Sequence, residues 1–155
     1  MTTLYISSKN VSTMKWELRR ARSREIGGIL MAEQIGNGEF RLVEFSVDRK
    51  TGTDGRFTRN EMHHVPALKE FFARHDNNYS KYNYLGEWHS HPSYSVHPSA
   101  QDIATMVKLV NSPGDTKFAT LMIVRLDYWL KLRISVLLFV EGQEPETVKI
   151  VLDKD

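Results

Sequence analysis

Apolar positions along the chain fall into blocks of two different periods. Leu4-Tyr5-Ile6 is a short aromatic and β-branched run that reads as a strand. It is followed by Ser12-Thr13 and by Val11, Met14, Leu18 and Ala21, which recur near helical spacing, while Lys15, Arg19 and Arg22 fall on another face. That basic face reads as solvated surface, with a nucleic-acid stripe as the alternative. Glu25–Ala32 and Phe40–Val47 read as strands joined across Gly36-Asn37-Gly38, a hairpin signal. Residues 48–62 are rich in Gly, Thr and Asp and predict a loop. A helix is predicted from Pro66 to His75, with Leu68, Phe71 and Phe72 inward. Tyr84–His91 reads as a strand running into a Pro-rich loop, Pro92 to Pro98. A helix then starts near Ser99, carries Ile103, Met106, Val107 and Val110, and ends before Gly114. Three further strands are predicted at Phe118–Arg125, Trp129–Val140 and Thr147–Leu152. Strands and helices mixed in this order predict an α/β or α+β fold. With no repeat, low-complexity tract or dividing linker, residues 1–155 are expected to form a single domain.

Length and composition agree with one globular unit. A chain of 155 residues buries roughly 70% of its unfolded surface, enough for an unaided core. Hydrophobic residues make up 41% and charged residues 26%, which excludes the disordered class. Lys+Arg 21 against Asp+Glu 19 leaves +2, too even a balance to indicate nucleic acid or an anionic membrane. There is no apolar run long enough for a membrane span and no export signal, so a cytoplasmic location is expected. Zero cysteine excludes disulfides, thiolate nucleophiles and cysteine-held metals, so any transition metal must be held by His and carboxylate.

The stretch from Trp88 to Asp102 carries the chemistry. On a strand, residues i and i+2 project to the same side, so His89 and His91 can aim both imidazoles at one point. Asp102, about one turn into the next helix, can add a carboxylate. Two histidines and a carboxylate leave tetrahedral zinc one open position for water, the catalytic rather than the structural pattern. Ser99-x-x-Asp102 is equally a helix-capping box. His97 reads as a third ligand or a cleft-lining residue, and His63 and His64 as solvated or packing residues. The methionines fall at core spacing.

Taken together, Gly86-Glu87-Trp88-His89-Ser90-His91-Pro92, Ser99 and Asp102 resemble the JAMM motif of the MPN/JAB metalloprotease family, in its compact prokaryotic JAB branch. That motif is an upstream Glu, then His-x-His-Pro, a Ser after seven intervening residues, and an Asp three further on. The upstream acid belongs where a strand begins after the first helix, ahead of small and apolar residues. Glu25 in Arg24-Glu25-Ile26-Gly27-Gly28-Ile29-Leu30 stands there, and the resemblance in element order runs to about Phe139. It implies a JAB/MPN-type central mixed β-sheet flanked by helices, and one zinc per chain held by His89, His91 and Asp102. Glu25 would be the general base that takes a proton from the zinc-activated water and returns it to the leaving amine. Ser99 would donate to the developing oxyanion, a contact whose loss costs ~10²–10³ in rate. For Glu25 the bland reading is a surface carboxylate beside Arg22 and Arg24, and Glu87 is the one rival acid.

The same resemblance implies an isopeptidase or peptidase, deubiquitinase-like, that cuts after the C-terminal Gly of a ubiquitin-like protein. The expected partners are a ubiquitin-like protein or its conjugate, with E1- and E2-like enzymes from an antiviral operon, and neither nucleic acid nor membrane. An extended tail could lie along a strand edge beside the cleft. Two rival readings are a RadC-type, DNA-associated protein and a non-catalytic MPN scaffold. The first typically carries His-Asn-His-Pro where this chain has His89-Ser90-His91-Pro92, and the second usually lacks a ligand. No His-Glu-x-x-His and no Gly-rich phosphate loop is present, so neither a zincin nor a nucleotide enzyme is indicated. Tyr128-Trp129 reads either as a partner patch or as part of the core.

Overall fold

The computed structural model describes residues 1–49 and 61–153, so most of the loop predicted over 48–62 lies outside the described residues. Strand β1 (Thr3–Ser7) runs straight into α1 (Ser8–Ala21), and β2 (Gly27–Gly36) turns back into β3 (Glu39–Phe45). Helix α2 (Glu61–Arg74) precedes β4 (Tyr82–Ser90), and α3 (Ala100–Asn111) precedes β5 (Phe118–Asp127) and β6 (Lys131–Val140). Two short strands, β7 (Glu146–Thr147) and β8 (Lys149–Asp153), close the order.

Local chemistry sets several of these bounds. Helix α1 starts four residues before Ser12, because extended Ser7 caps it and its side chain accepts from the Asn10 N–H. Likewise α2 begins five residues before Pro66, which stands inside the helix. Proline cannot bond back to the carbonyl of residue 62, a local loss. Burial of His64 against Ser46 Oγ at 2.7 Å and of Phe71 in the core holds the element. Gly38, at φ +71°, supplies the left-handed turn that closes the β2–β3 hairpin.

The strands form one mixed sheet in the order β7-β6-β5-β4-β2-β3-β1-β8. Its two outermost strands are joined through Val148 alone, whose N–H donates to the Val136 carbonyl at 3.0 Å, so the sheet curls until its edges meet. Met14 and Leu18 of α1 pack with Leu30, Trp88, Met122 and Val124 on one face. The other face carries α3, through Met106 and Val110, and α2, through Phe71. Central strands buried on both sides explain the near-continuous apolar runs of β2 and β5.

One close approach ties the sheet to the segment after β3. A Cβ on Gly28 would lie 2.0 Å from the Ser46 carbonyl oxygen. That same carbonyl accepts from Trp88 Nε1 at 2.8 Å, and Ser46 Oγ accepts from the Ile29 N–H at 3.0 Å. Tyr128 and Trp129 are not part of the core. They sit at the β5–β6 turn with φ of 51° and 64°, both exposed. Among the described residues no helix is long and apolar enough to cross a membrane.

Candidate functional site

Every element of the predicted site ends at the same corner of the sheet. β2 pairs antiparallel with β4 so that Gly27 lies opposite His89, which puts Glu25, two residues upstream, beside the histidines. Two bonds lock that corner: Ser90 N–H donates to the Ile26 carbonyl at 2.9 Å, and Ile26 N–H donates to Ser90 Oγ at 3.0 Å. On the far side β5 runs parallel to β4, and His91 N–H donates to the Val124 carbonyl at 2.9 Å. The backbone of the His-Ser-His turn is therefore fixed from both neighbouring strands before any side chain is considered.

The imidazoles meet at their Nε2 atoms, 3.2 Å apart. His91 Nδ1 lies 2.7 Å from the Ser95 carbonyl, which only accepts, so Nδ1 carries the proton and Nε2 of the neutral ring offers a lone pair. Asp102 closes the site from α3, with Oδ1 3.5 Å from His89 Nε2 and Oδ2 3.6 Å from His91 Nε2. Its carboxylate is oriented by the Ser99 N–H, which donates to Oδ2 at 2.8 Å. Burial works against its charge, but the two imidazoles facing it and the Ser99 N–H outweigh that and hold its pKa well below the carboxylate range. Burial would also lower His91, yet Asp102 and the Ser95 carbonyl leave its pKa above the usual histidine value.

Glu25 lies on the opposite side, only 3% exposed. Its carboxylate and the two imidazoles offer donor atoms all within 4.8 Å of one another. Glu25 Oε2 is buried without a hydrogen-bond partner among the described residues, a costly state unless something else satisfies it. Two facing nitrogen lone pairs and two flanking carboxylates are the donor set of a small divalent cation such as zinc. The residues present therefore fit a metal with a water beside it.

Ser99 is exposed at the N-cap of α3, and its Oγ accepts from the Asp102 N–H at 3.0 Å, completing a capping box. That bond uses an acceptor lone pair and leaves the hydroxyl proton free to donate elsewhere. The other candidates stand apart. His97 is exposed in the loop, and its N–H donates to Ser95 Oγ. Glu87 is buried in register with Ile29 and is not among the converging groups, while His64 packs on Ser46 and the side chain of His63 lies outside the described residues.

The sequence reading did not single out Tyr94. Its ring stacks on His91 with centroids 4.2 Å apart and planes at 25°. Burial first, and the Glu25 carboxylate second, push its pKa well above the usual tyrosine value. An aromatic three residues past the second histidine, on a loop bracketed by prolines, was the available signal.

Two bacterial proteins, each named CD-NTase/cGAS isopeptidase, are similar to this chain. The Vibrio cholerae serotype O1 protein is 31% identical over 110 residues, covering 68% of this chain and 65% of that one. The Escherichia coli strain TW11681 protein is 30% identical over 117 residues, covering 73% and 70%. This chain thus spans about two thirds of the length of these relatives. The solution structure of protein DSY2949 from Desulfitobacterium hafniense is similar with a TM-score of 0.72, over 99% of this chain and 94% of that one. At 18% identity that is a likeness of fold alone. The family described as prokaryotic homologs of the JAB domain matches residues 8–141, a span that holds Glu25, His89, His91, Ser99 and Asp102. This chain belongs to the prokaryotic JAB-domain family.

Proposed function

We propose that this chain is a zinc-dependent isopeptidase that hydrolyses the bond after the C-terminal Gly of a ubiquitin-like protein, with residues 1–155 acting as one catalytic domain. The observation that carries the reading is the convergence of His89 Nε2, His91 Nε2 and the Asp102 carboxylate beside buried Glu25, whose Oε2 has no hydrogen-bond partner among the described residues. His89, His91 and Asp102 would hold the zinc, one per chain. When bound it would supply a Lewis acid that polarises a carbonyl and makes water a stronger acid.

The remaining work falls to this chain's own residues. Glu25 takes a proton from the attacking water as the oxygen adds to the isopeptide carbonyl carbon, then gives it to the departing amine as the carbon–nitrogen bond breaks. Ser99 donates its hydroxyl proton in a hydrogen bond to the carbonyl oxygen as negative charge builds there. Asp102 carries the negative charge that offsets the cation, and the Ser95 carbonyl keeps His91 in its ligating tautomer.

The relatives' shared name makes a conjugate of a CD-NTase the target to try first. E1- and E2-like enzymes of an antiviral operon are the partners expected to form that conjugate in the cytoplasm. The experiment counts zinc by atomic emission in protein purified without chelator or His-tag, beside a His89→Ala/His91→Ala variant and Glu25→Gln. Expected are about one zinc per chain in the parent, almost none in the double variant, and zinc retained without cleavage of ubiquitin-like fusions in Glu25→Gln. Loss of zinc from Glu25→Gln would make Glu25 a ligand rather than the base. No zinc in the parent after reconstitution would sink the hydrolase reading and leave a scaffold.

A further inference from the structure

His91 is held at three places. The Ser95 carbonyl accepts from Nδ1, Nε2 faces His89 and Asp102, and one ring face is covered by Tyr94 at 4.2 Å. The two residues that hold the ring from outside the sheet, Tyr94 and Ser95, are adjacent in a loop that starts at Pro92 and ends at Pro98. The stacked ring stops the imidazole from rotating about its Cβ–Cγ bond in one direction, and the carbonyl stops it in the other.

The two outer constraints differ in kind. The Ser95 carbonyl fixes which ring nitrogen carries the proton and so turns Nε2 toward His89 and Asp102. The ring of Tyr94, 40% exposed, lies over the imidazole with planes at 25° and holds its orientation.

We propose that Tyr94 is a positioning residue whose ring, stacked on the imidazole, fixes the ring plane of the ligand His91. The inference rests on the metallo-isopeptidase reading above and assigns the role to the ring alone. Tyr94→Phe keeps the stacking, and Tyr94→Leu removes it.

The test loads parent and variants with cobalt(II) as a spectroscopic substitute for zinc. It records the visible absorption of the bound metal and its affinity by chelator competition. Tyr94→Phe is expected to bind cobalt with parental affinity and spectrum. Tyr94→Leu is expected to bind it roughly 10-fold or more weakly, within the range for loss of a group that orients a ligand, and with an altered band. On a ubiquitin-like fusion that the parent cleaves, Tyr94→Leu should lower kcat about 10-fold, and Tyr94→Phe should recover most of that loss. Circular dichroism and the unfolding midpoint of the metal-free variants should match the parent, because Tyr94 is outside the core clusters. Parental affinity and spectrum in Tyr94→Leu would overturn the ring assignment, and so would a Tyr94→Phe variant that binds cobalt as weakly as Tyr94→Leu. A parent that binds no cobalt would instead bring down the metal reading, and this inference with it.

Discussion

Replacing Gly28 with alanine would put a Cβ 2.0 Å from the Ser46 carbonyl oxygen and 2.6 Å from its carbon. Both atoms are backbone, so β2 must separate from the segment after β3. Overpacking of this kind costs ~1–3 kcal/mol. The movement also pulls Ser46 from Trp88 Nε1, at 2.8 Å, and from the Ile29 N–H, at 3.0 Å. Each such bond contributes roughly 1 kcal/mol, and Trp88 is fully buried with no water to replace the acceptor. The sum is about 3–5 kcal/mol. For a 155-residue chain, at ~2–4 °C per kcal/mol, the unfolding midpoint should fall roughly 6–20 °C. Gly36→Ala, on the same strand, is the matched control. There the new Cβ meets only Glu39 Oε2, at 2.5 Å, the end of a flexible side chain that can swing away. Removing glycine's freedom from the unfolded state offsets what strain remains, so its effect should stay within about 1 kcal/mol. Urea unfolding followed by tryptophan fluorescence measures both, with unchanged m-values as the sign that the same transition is compared. Equal costs for the two variants, or less than 1 kcal/mol for Gly28→Ala, would refute the reasoning.

Other consequences can be checked with the same protein. Ser99→Ala should lose ~1 kcal/mol of stability with the cap, and ~10²–10³ in kcat if the hydroxyl also serves the carbonyl oxygen. Only the stability loss would appear if Ser99 is a cap and nothing more. Zinc at 100 times its dissociation constant should stabilise the fold by ~2.7 kcal/mol. A chelator should reverse the resulting rise in unfolding midpoint, and His89→Ala/His91→Ala should abolish it. Because ligating imidazoles must be neutral, that rise should shrink as pH falls from 8 to 5.5, and a rise independent of pH would argue against histidine ligation. Trp88→Phe removes the donor to the part-buried Ser46 carbonyl, shrinks a fully buried side chain and should cost roughly 2–4 kcal/mol in urea unfolding.

Much of this molecule is written in local pattern. The 2.0 and 3.6 periods placed all three helices and the main strands, because burial of one face or of both leaves a repeating apolar mark. The spacing of His89, His91, Ser99 and Asp102 was legible for a similar reason: a strand end and a helix start, each rigid by itself, carry them. Boundaries were less so. Helix α1 began early because a single capping serine acts ahead of any periodicity, and α2 ran through Pro66 because packing outweighed the lost bond. The last predicted strand divides at Val148, where the curled sheet brings Val136 to its N–H, a contact between residues 12 apart in sequence that no local period encodes.

The site follows the same division. From residue types alone, the chain specified histidine and carboxylate chemistry with no thiol, and named Glu25 only through resemblance. What brought Glu25 to within 4.8 Å of the histidines was pairing across the sheet, Gly27 opposite His89 and Ile26 locked to Ser90, at a separation of more than sixty residues. Tyr94 was decided at the same level. A loop residue has no periodicity to betray it, and its contact with His91 exists only once a strand end and a folded-back loop share one corner. Sequence determined which groups were available and which short segments would hold them. Tertiary structure decided which of them meet, because convergence depends on strand register and on the close approach of backbones at Gly28 and Ser46.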